Sequence, residues 1–260
     1  MCELLGQECA SSAMVFAMHQ IQVACVVHHG EGSAFFRDYM GELVREQRLI
    51  ASVTSEAGVG GSVRTSISPI LREGGQCSLR KDGTVVSYGE QAEDLLITVR
   101  RGPDAAPSDQ ALVLTRREQC TFELTGSWDT FGMRGTCSPG YVITAKFDES
   151  QIVPSPFAEI SSHTMLPFAH VLWSSLWLGI ANDAVSRARG YVRGVARQMP
   201  GQTPPSALRL SELSGALQSM RSLVHDAARR FSSAIERGDR NELSSVDFAI
   251  QMNDLKLTAS

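Results

Sequence analysis

The sequence predicts a mixed α+β chain in three parts: helical residues 1–49, β-rich residues 50–152 and helical residues 153–260. Two observations predict this division. Apolar residues recur at three- and four-residue spacing in the first and last parts, whereas short β-rich runs separated by turn residues fill the middle. Hydrophobic residues make up 43% and charged residues 20% of the chain, a composition typical of a globular protein rather than a disordered one.

The first part contains two predicted helices. Ser11 or Ser12 is expected to cap a helix whose apolar residues lie nearly all round, so that it needs burial on several sides. The second is predicted around residues 35–44, where apolar residues follow helical spacing. Two helices make a poor domain alone, so residues 1–49 are interpreted as the end of a helical domain.

Two apolar runs could be either membrane-spanning or signal segments, or buried helices. The run at 14–27 follows Glu3 and Glu8, where a secretory signal would carry positive charge. The run at 165–181 contains His170 and is shorter than the roughly 20 residues of a membrane span. Both are predicted to be buried helices, with no membrane span.

Charge and cysteine usage exclude several classes of protein. The net charge is −4, and no basic stripe with interleaved aromatic residues predicts nucleic-acid binding. The six cysteines form no Cys-x-x-Cys pair and, with the histidines, show no zinc spacing, so no metal site is expected. Reduced thiols in a cytoplasmic protein are the expected state.

The middle part contains six predicted strands, whose spacing is typical of a small antiparallel barrel or sandwich. Turn signals such as Lys81-Asp82-Gly83 separate them. The predicted strands are Ile50–Thr54, Thr84–Tyr88, Leu95–Val99, Ala111–Leu114, Thr121–Leu124 and Tyr141–Phe147.

The last part follows Pro154 and Pro156 and contains three predicted helices. A long helix is expected from near Pro167 to Arg197, a second has one apolar stripe over 210–235, and a third starts near Ser244 or Ser245. Three antiparallel helices resemble an incomplete four-helix bundle. Such a bundle leaves one apolar face for a partner, so an oligomer is expected.

Three polar, glycine-containing segments could bind a ligand. The first runs from Ser55 to Ser62 and follows a predicted strand; its glycines let the backbone approach a ligand and expose N–H groups. The others are Val85–Gly89 and Gly132–Thr136. Taken singly, each is equally typical of a strand and its turn.

In this order, the three segments resemble the acyl-CoA dehydrogenase family. They stand where the family has Thr-Glu-Pro-Gly-Ala-Gly-Ser-Asp, Trp-Ile-Thr-Asn-Gly and Gly-x-Arg with small polar residues. The resemblance covers nearly the whole chain and implies a partial N-terminal helical domain, a central antiparallel β-barrel and a C-terminal bundle lacking its last helices. The chain is therefore expected to be shorter than its relatives at both ends.

The resemblance also implies a bound FAD with its ring against the barrel. Arg197 would contact the FAD pyrophosphate of a neighbouring subunit, unless it is simply a solvated helix arginine. Gly61 and Ser62 would lie near the substrate. The residues that the resemblance places at the flavin are Val53, Thr54, Ser55, Gly60, Val85 and Ser87.

The implied reaction is α,β-dehydrogenation of an acyl-CoA or acyl-carrier thioester, with hydride transfer to flavin N5 and an electron-transfer protein as acceptor, in fatty acid metabolism. The sequence departs from the family at the catalytic carboxylate: Ala169 stands in one of its two usual regions, and the chain ends before the other. His170 is a candidate base, with a packed helix histidine as the alternative.

That departure leaves two other functions open. A flavin monooxygenase or oxidase of the same fold needs no such carboxylate. A non-catalytic partner subunit would instead complete the flavin site of another chain.

Overall fold

The computed structural model describes residues 1–260, which divide into two compact units. The helical unit combines Met1–Ala17 with Pro167–Ser260, and the mixed unit comprises Met18–Leu166. The first boundary falls inside helix α2 (Ala10–His29). The three-part division at residues 49 and 152 remains a prediction.

The mixed unit contains seven strands in two sheets. One sheet has the order β1-β4-β5 and the other the order β2-β3-β7-β6. The strands are β1 (Ile50–Val53), β2 (Leu71–Glu73), β3 (Gln76–Gly83), β4 (Asp94–Arg100), β5 (Gln110–Arg116), β6 (Cys120–Leu124) and β7 (Tyr141–Phe147).

The expected closed antiparallel barrel is not formed. The strands make two separate sheets, and β1 runs parallel to β4, with Ile50 opposite Asp94 and Val53 opposite Ile97. All the other strand pairs are antiparallel. The parallel pair is possible because 40 residues of intervening chain, including β2 and β3, separate the two strands.

Two of the predicted local structures are wrong. Lys81-Asp82-Gly83 is not a turn but the end of β3, because the alternate residues Cys77, Leu79 and Lys81 face the interior. Thr84–Tyr88 is not a strand but a loop, since Tyr88 has the left-handed φ of 43°. The other five predicted strands are confirmed to within two residues at each end.

Helices flank the strands of the mixed unit. The expected cap at Ser11 or Ser12 is wrong, since both serines lie inside α2. Helix α3 (Ala34–Glu46) begins at Ser33, whose hydroxyl accepts a hydrogen bond from the Phe36 N–H. After β7 come α4 (Phe157–Ile160) and one π-helical turn, Ser161–Met165.

The helical unit contains the two longest helices of the chain, α5 (Leu166–Gln198) and α6 (Ser206–Glu236). A buried cluster that includes Leu178, Val224, Phe231, Phe248 and Met252 forms its core. The three predicted C-terminal helices are confirmed, and a short fourth helix, α7, lies between the last two. The helices are α1 (Cys2–Glu8), the start of α2, α5 (Leu166–Gln198), α6 (Ser206–Glu236), α7 (Arg240–Leu243) and α8 (Val246–Ala259).

Two helical segments, Ala10–His29 and Phe157–Gln198, are long and apolar enough to cross a membrane by length and composition alone. Buried core helices of soluble proteins pass the same test. The windows that qualify are 39% and 50% buried within the protein.

Candidate functional site

The first two predicted motifs meet through one side chain. The Ser55 hydroxyl accepts a hydrogen bond from the Val85 N–H at 3.1 Å and donates one to the Val85 carbonyl at 2.9 Å. A serine has only one hydroxyl hydrogen, and that of Ser55 is already donated to the Val85 carbonyl, so the hydroxyl has no further hydrogen to donate. Ser55 therefore fixes the two loops to each other, and the N–H is the donor that it can offer to a ligand.

The second and third motifs meet through a chain of buried hydroxyls. Ser138 Oγ donates to Ser87 Oγ at 2.8 Å, and Thr136 Oγ1 lies 2.7 Å from Ser138 Oγ. The Tyr88 N–H also donates to the Thr136 carbonyl at 2.8 Å. Since Ser87 accepts from Ser138, its own hydroxyl hydrogen remains available to a ligand.

The Gly-rich loop, residues 57–65, has an open tip at residues 58–62. Gly58, Gly60 and Gly61 have φ values of 88°, 61° and 79°, a region that favours glycine. The N–H groups of residues 58–61 donate to no acceptor within the chain, and the Ser62 N–H bonds the Val59 carbonyl. A Cβ atom added at Gly60 or Gly61 would meet nothing within 4 Å, so open space borders these free donors.

The base of the Gly-rich loop is closed by a buried carboxylate. Glu56 accepts hydrogen bonds from Ser66 Oγ at 2.7 Å and from Ser68 Oγ at 2.6 Å. These bonds join the residue before the loop to the residues after it. Burial alone would raise the pKa of Glu56, but the Ser68 hydrogen bond, the charge of Lys81 and the Ser66 hydrogen bond together hold it below its usual value.

Lys81 lies beneath this base with its side chain wholly buried. Its Nζ donates to the Thr98 carbonyl at 2.6 Å and to Thr98 Oγ1 at 2.9 Å, and it lies 3.5 Å from Glu56 Oε2. Burial lowers the pKa of Lys81 to about 8, although the charge of Glu56 opposes the shift. Glu56 and Lys81 therefore stabilise the base of the loop from the interior, and neither side chain is accessible to solvent.

The residues predicted to line a flavin differ in exposure. Val85 is 43% exposed. Ser87 is buried, and Thr54 is half-buried. Val53 is fully buried, and its side chain packs towards Gly83. The three loops, residues 55–62, 85–89 and 132–136, are together called the loop surface. A ligand outside this surface would meet Val85 and the loop backbone before it met Val53.

The remaining predicted residues lie in the helical unit. Ala169 is buried in α5. Next to it, burial lowers the pKa of His170, the charge of Lys256 lowers it further, and a hydrogen bond with the Met252 backbone opposes both. His170 is therefore a neutral side chain packed against α8 at pH 7. Arg197 lies exposed in the last turn of α5.

Comparison with known proteins gives structural but not sequence matches. No family model matches the chain, and no curated protein matches it. The solved structure of FMN-bound TdsC from Paenibacillus sp. A11-2 has a TM-score of 0.83 at 18% identity, covering 99% of this chain and 68% of that one. PigA with FAD and proline has a TM-score of 0.77 at 15% identity, with coverage of 99% and 68%.

A third match, to an FAD-dependent dehydrogenase, has a TM-score of 0.76 at 16% identity, with the same coverage. The chain has the acyl-CoA dehydrogenase fold. The resemblance inferred from the three motifs is confirmed at the level of fold. The chain spans about two thirds of the length of the acyl-CoA dehydrogenase-fold flavoproteins that it matches.

The loop surface of this acyl-CoA dehydrogenase-fold chain fits a flavin in its chemistry. A flavin ring presents carbonyl and nitrogen acceptors along one edge. The loops offer free N–H groups at residues 58–61, the available hydroxyl of Ser87 and the exposed apolar face of Val85.

Sequence reasoning missed Glu56, Lys81 and Ser138. A lysine and a glutamate 25 residues apart carry no local signal of pairing. The one available signal was the alternation Cys77, Leu79, Lys81, which places the lysine on the apolar face of a strand.

Proposed function

We propose that the chain binds a flavin against the surface formed by its three loops and acts as a flavin-dependent oxidoreductase. The observation that carries the proposal is the convergence of the three motifs through Ser55, Ser87 and Ser138, beside N–H groups that have no partner in the chain. A bound flavin would supply two-electron transfer at its ring. Unpartnered donors at its edge would stabilise the charge gained on reduction.

FAD was the cofactor predicted from the sequence, and the structural relatives include both FMN-bound TdsC and PigA with FAD. Arg197 supports FAD if it binds a pyrophosphate, since FMN has none. The choice between FAD and FMN is therefore part of the proposal to be tested.

For the chain acting alone, we favour oxygen-dependent chemistry. Abstraction of a proton α to a thioester needs a base within hydrogen-bond reach, and the start of α5 offers Ala169 and the half-buried His170. The solved relatives include dibenzothiophene monooxygenase (TdsC), with a TM-score of 0.78, and prolyl acyl carrier protein oxidase AnaB, with a TM-score of 0.74. In a monooxygenase, a separate two-electron reductant would supply the reduced flavin that reacts with oxygen, so no carboxylate would be needed to remove a proton α to a thioester.

Dehydrogenation of an acyl thioester is the second candidate, in an assembly that supplies a carboxylate and passes electrons to an acceptor protein. Apolar side chains exposed on α6 and α8 support such an assembly. Leu208 is 67%, Leu213 47% and Ile250 54% exposed. Exposed apolar residues on neighbouring helices are typical of subunit interfaces.

Spectroscopic titration tests the proposal. Purified protein is titrated separately with FAD and FMN, and flavin absorbance and fluorescence are recorded, with light scattering on the same samples. We expect saturable binding of one flavin per chain. The absence of binding by both flavins, in protein shown to be folded by circular dichroism, would contradict the proposal.

Two further additions separate the two reactions. Anaerobic addition of octanoyl-CoA bleaches the flavin absorbance in a dehydrogenase. Admission of air to protein whose flavin has been reduced photochemically restores the absorbance rapidly in an oxygen-using enzyme. We expect the second response and not the first from this chain alone.

A further inference from the structure

A cavity of about 340 Å³ lies beside the Gly-rich loop, in the mixed unit. Residues that follow the tip form one wall, and α4 with the π-helical turn forms another. Its volume is at the lower end of the range for small-molecule pockets. A π-helical turn is uncommon and is found frequently at functional sites.

The polar side of the cavity is positive. Arg64 lines it and makes no side-chain hydrogen bond or ion pair within the protein, in contrast to the neighbouring arginines Arg72 and Arg101, which pair with Glu149 and Asp109. No acidic residue lines the cavity. An arginine presents five donors in a planar fork that matches a carboxylate or a phosphate.

Hydroxyl groups complete the polar side. Ser108 and Ser161 line the cavity, and neither side chain has a hydrogen-bond partner in the protein. Ser162 also lines it, but its hydroxyl donates to the Ala158 carbonyl at 2.8 Å. The two unpartnered hydroxyls can therefore donate to an anion held by Arg64.

The lining also has an apolar part. This part comprises Val63, Phe157 and Leu166, and Phe157, which is 2% exposed, is held in place by packing. A ligand that satisfies both parts of the lining carries an anionic group and a compact apolar group.

We propose that this cavity binds a small organic anion, with Arg64 pairing with its carboxylate or phosphate and Val63, Phe157 and Leu166 covering its apolar part. The inference rests on the proposed flavin function only in identifying this anion as the substrate. Anion binding itself depends on the cavity alone.

Calorimetric titration of the flavin-free chain with three probes of similar shape tests the inference. Phenylacetate and phenyl phosphate carry the two anionic groups, and phenylacetamide is a neutral counterpart. We expect at least one anion to bind about tenfold or more tightly than the amide, as a charge-assisted hydrogen bond provides. The stronger of the two anions identifies the headgroup.

Three variants test whether the cavity is the site of binding. Arg64→Gln should remove the preference for the anion, whereas Arg80→Gln should retain it, because Arg80 is an equally exposed arginine on β3 that does not line the cavity. Ala158→Trp should weaken all three probes by filling the cavity. Circular dichroism shows whether each variant is folded.

Equal affinity for phenylacetamide and both anions, an equal loss in Arg64→Gln and Arg80→Gln, or no binding of any probe would each overturn the inference. Flavin titration of the same samples separates this result from the proposed function. Anion binding without flavin binding contradicts the flavin proposal alone, and flavin binding without anion binding contradicts the cavity inference alone.

Discussion

The base and the tip of the Gly-rich loop are opposite in construction. At the base, Glu56 and Lys81 are buried, and Ser66, Ser68 and Thr98 satisfy their polar atoms. At the tip, four successive N–H groups have no partner, and three glycines have positive φ values. A single residue, Ala57, separates the buried carboxylate of Glu56 from the first of these unpaired donors.

This difference indicates how the loop is adapted to a ligand. Unpaired donors bind best when the backbone that carries them is held in place before the ligand arrives, because less ordering entropy is lost on binding. Glu56 closes the loop at its ends and leaves the tip free to bind. Under the proposed function, we therefore expect the base to determine stability and the tip to determine affinity for the flavin.

The largest expected effect comes from breaking the base. Glu56→Gln leaves the charge of Lys81 buried without a counterion, so the free energy of unfolding should fall by about 3 kcal/mol. Urea denaturation measures this loss. Glu123→Gln, which removes an exposed carboxylate with no ion pair, is the control and should change stability little. If adding Lys81→Met to Glu56→Gln recovers none of the loss, the pair is not the cause.

A substitution at the tip should weaken flavin binding, whereas the substitution at the base lowers stability. Gly61→Val adds a branched side chain to the open space beside the free donors and should weaken flavin binding by roughly thirtyfold, about 2 kcal/mol. Gly32→Val introduces a residue at a similar positive φ in the turn after α2 and should cost similar stability while retaining flavin affinity. Equal flavin affinity in the two variants would show that the tip is not the binding surface.

The base should also make stability depend on alkaline pH. Burial lowers the pKa of Lys81 from 10.5 to about 8, so between these values the unfolded chain binds more protons than the folded one. Stability from this group therefore rises with pH from about 8 towards 10.5, and it is lost as pH falls through 8. The expected slope is of order 1 kcal/mol per pH unit.

Denaturation of wild type and Lys81→Met between pH 7.5 and about 9.5, below the usual pKa of tyrosine, measures this contribution. The difference in unfolding free energy between the two proteins should change with pH in that window. A constant difference would mean that Lys81 does not titrate there.

The smallest effect is expected at the hydroxyl chain. Ser87→Ala removes one hydroxyl that is available to a ligand and should weaken flavin binding about fivefold, or about 1 kcal/mol. Ser150→Ala, at an exposed serine outside the three loops, should leave affinity unchanged. A loss of stability without any loss of affinity in Ser87→Ala would assign this serine to the interior alone.

Local patterns predicted much of the fold but not the contacts that build the site. Tyr141–Phe147 alternates clearly, and its bounds are those of β7. Thr84–Tyr88 is also rich in β-branched and aromatic residues, yet its Val86 and Tyr88 N–H groups bond the Pro139 and Thr136 carbonyls, and it forms a loop. Lys81 was assigned to a turn because Lys81-Asp82-Gly83 is a typical turn sequence, and the partner that allows its burial, Glu56, is distant in sequence.

The motifs themselves were recognisable, and their resemblance to one family located the three loops. The Ser55–Val85 link spans 30 residues and the Ser87–Ser138 link spans 51, so neither follows from local propensity. The parallel pairing of β1 with β4 is likewise a tertiary feature, because either strand alone would suit an antiparallel neighbour.

Hydrogen–deuterium exchange with and without flavin tests the central claim, that the open tip of the Gly-rich loop binds the cofactor. The amides of residues 58–61 exchange freely in the free chain, since they have no partner. On saturation with the preferred flavin, these amides should become protected, and those near Ser66 and Ser68 should change little. Saturable flavin binding that leaves the exchange of residues 58–61 unchanged would contradict the account.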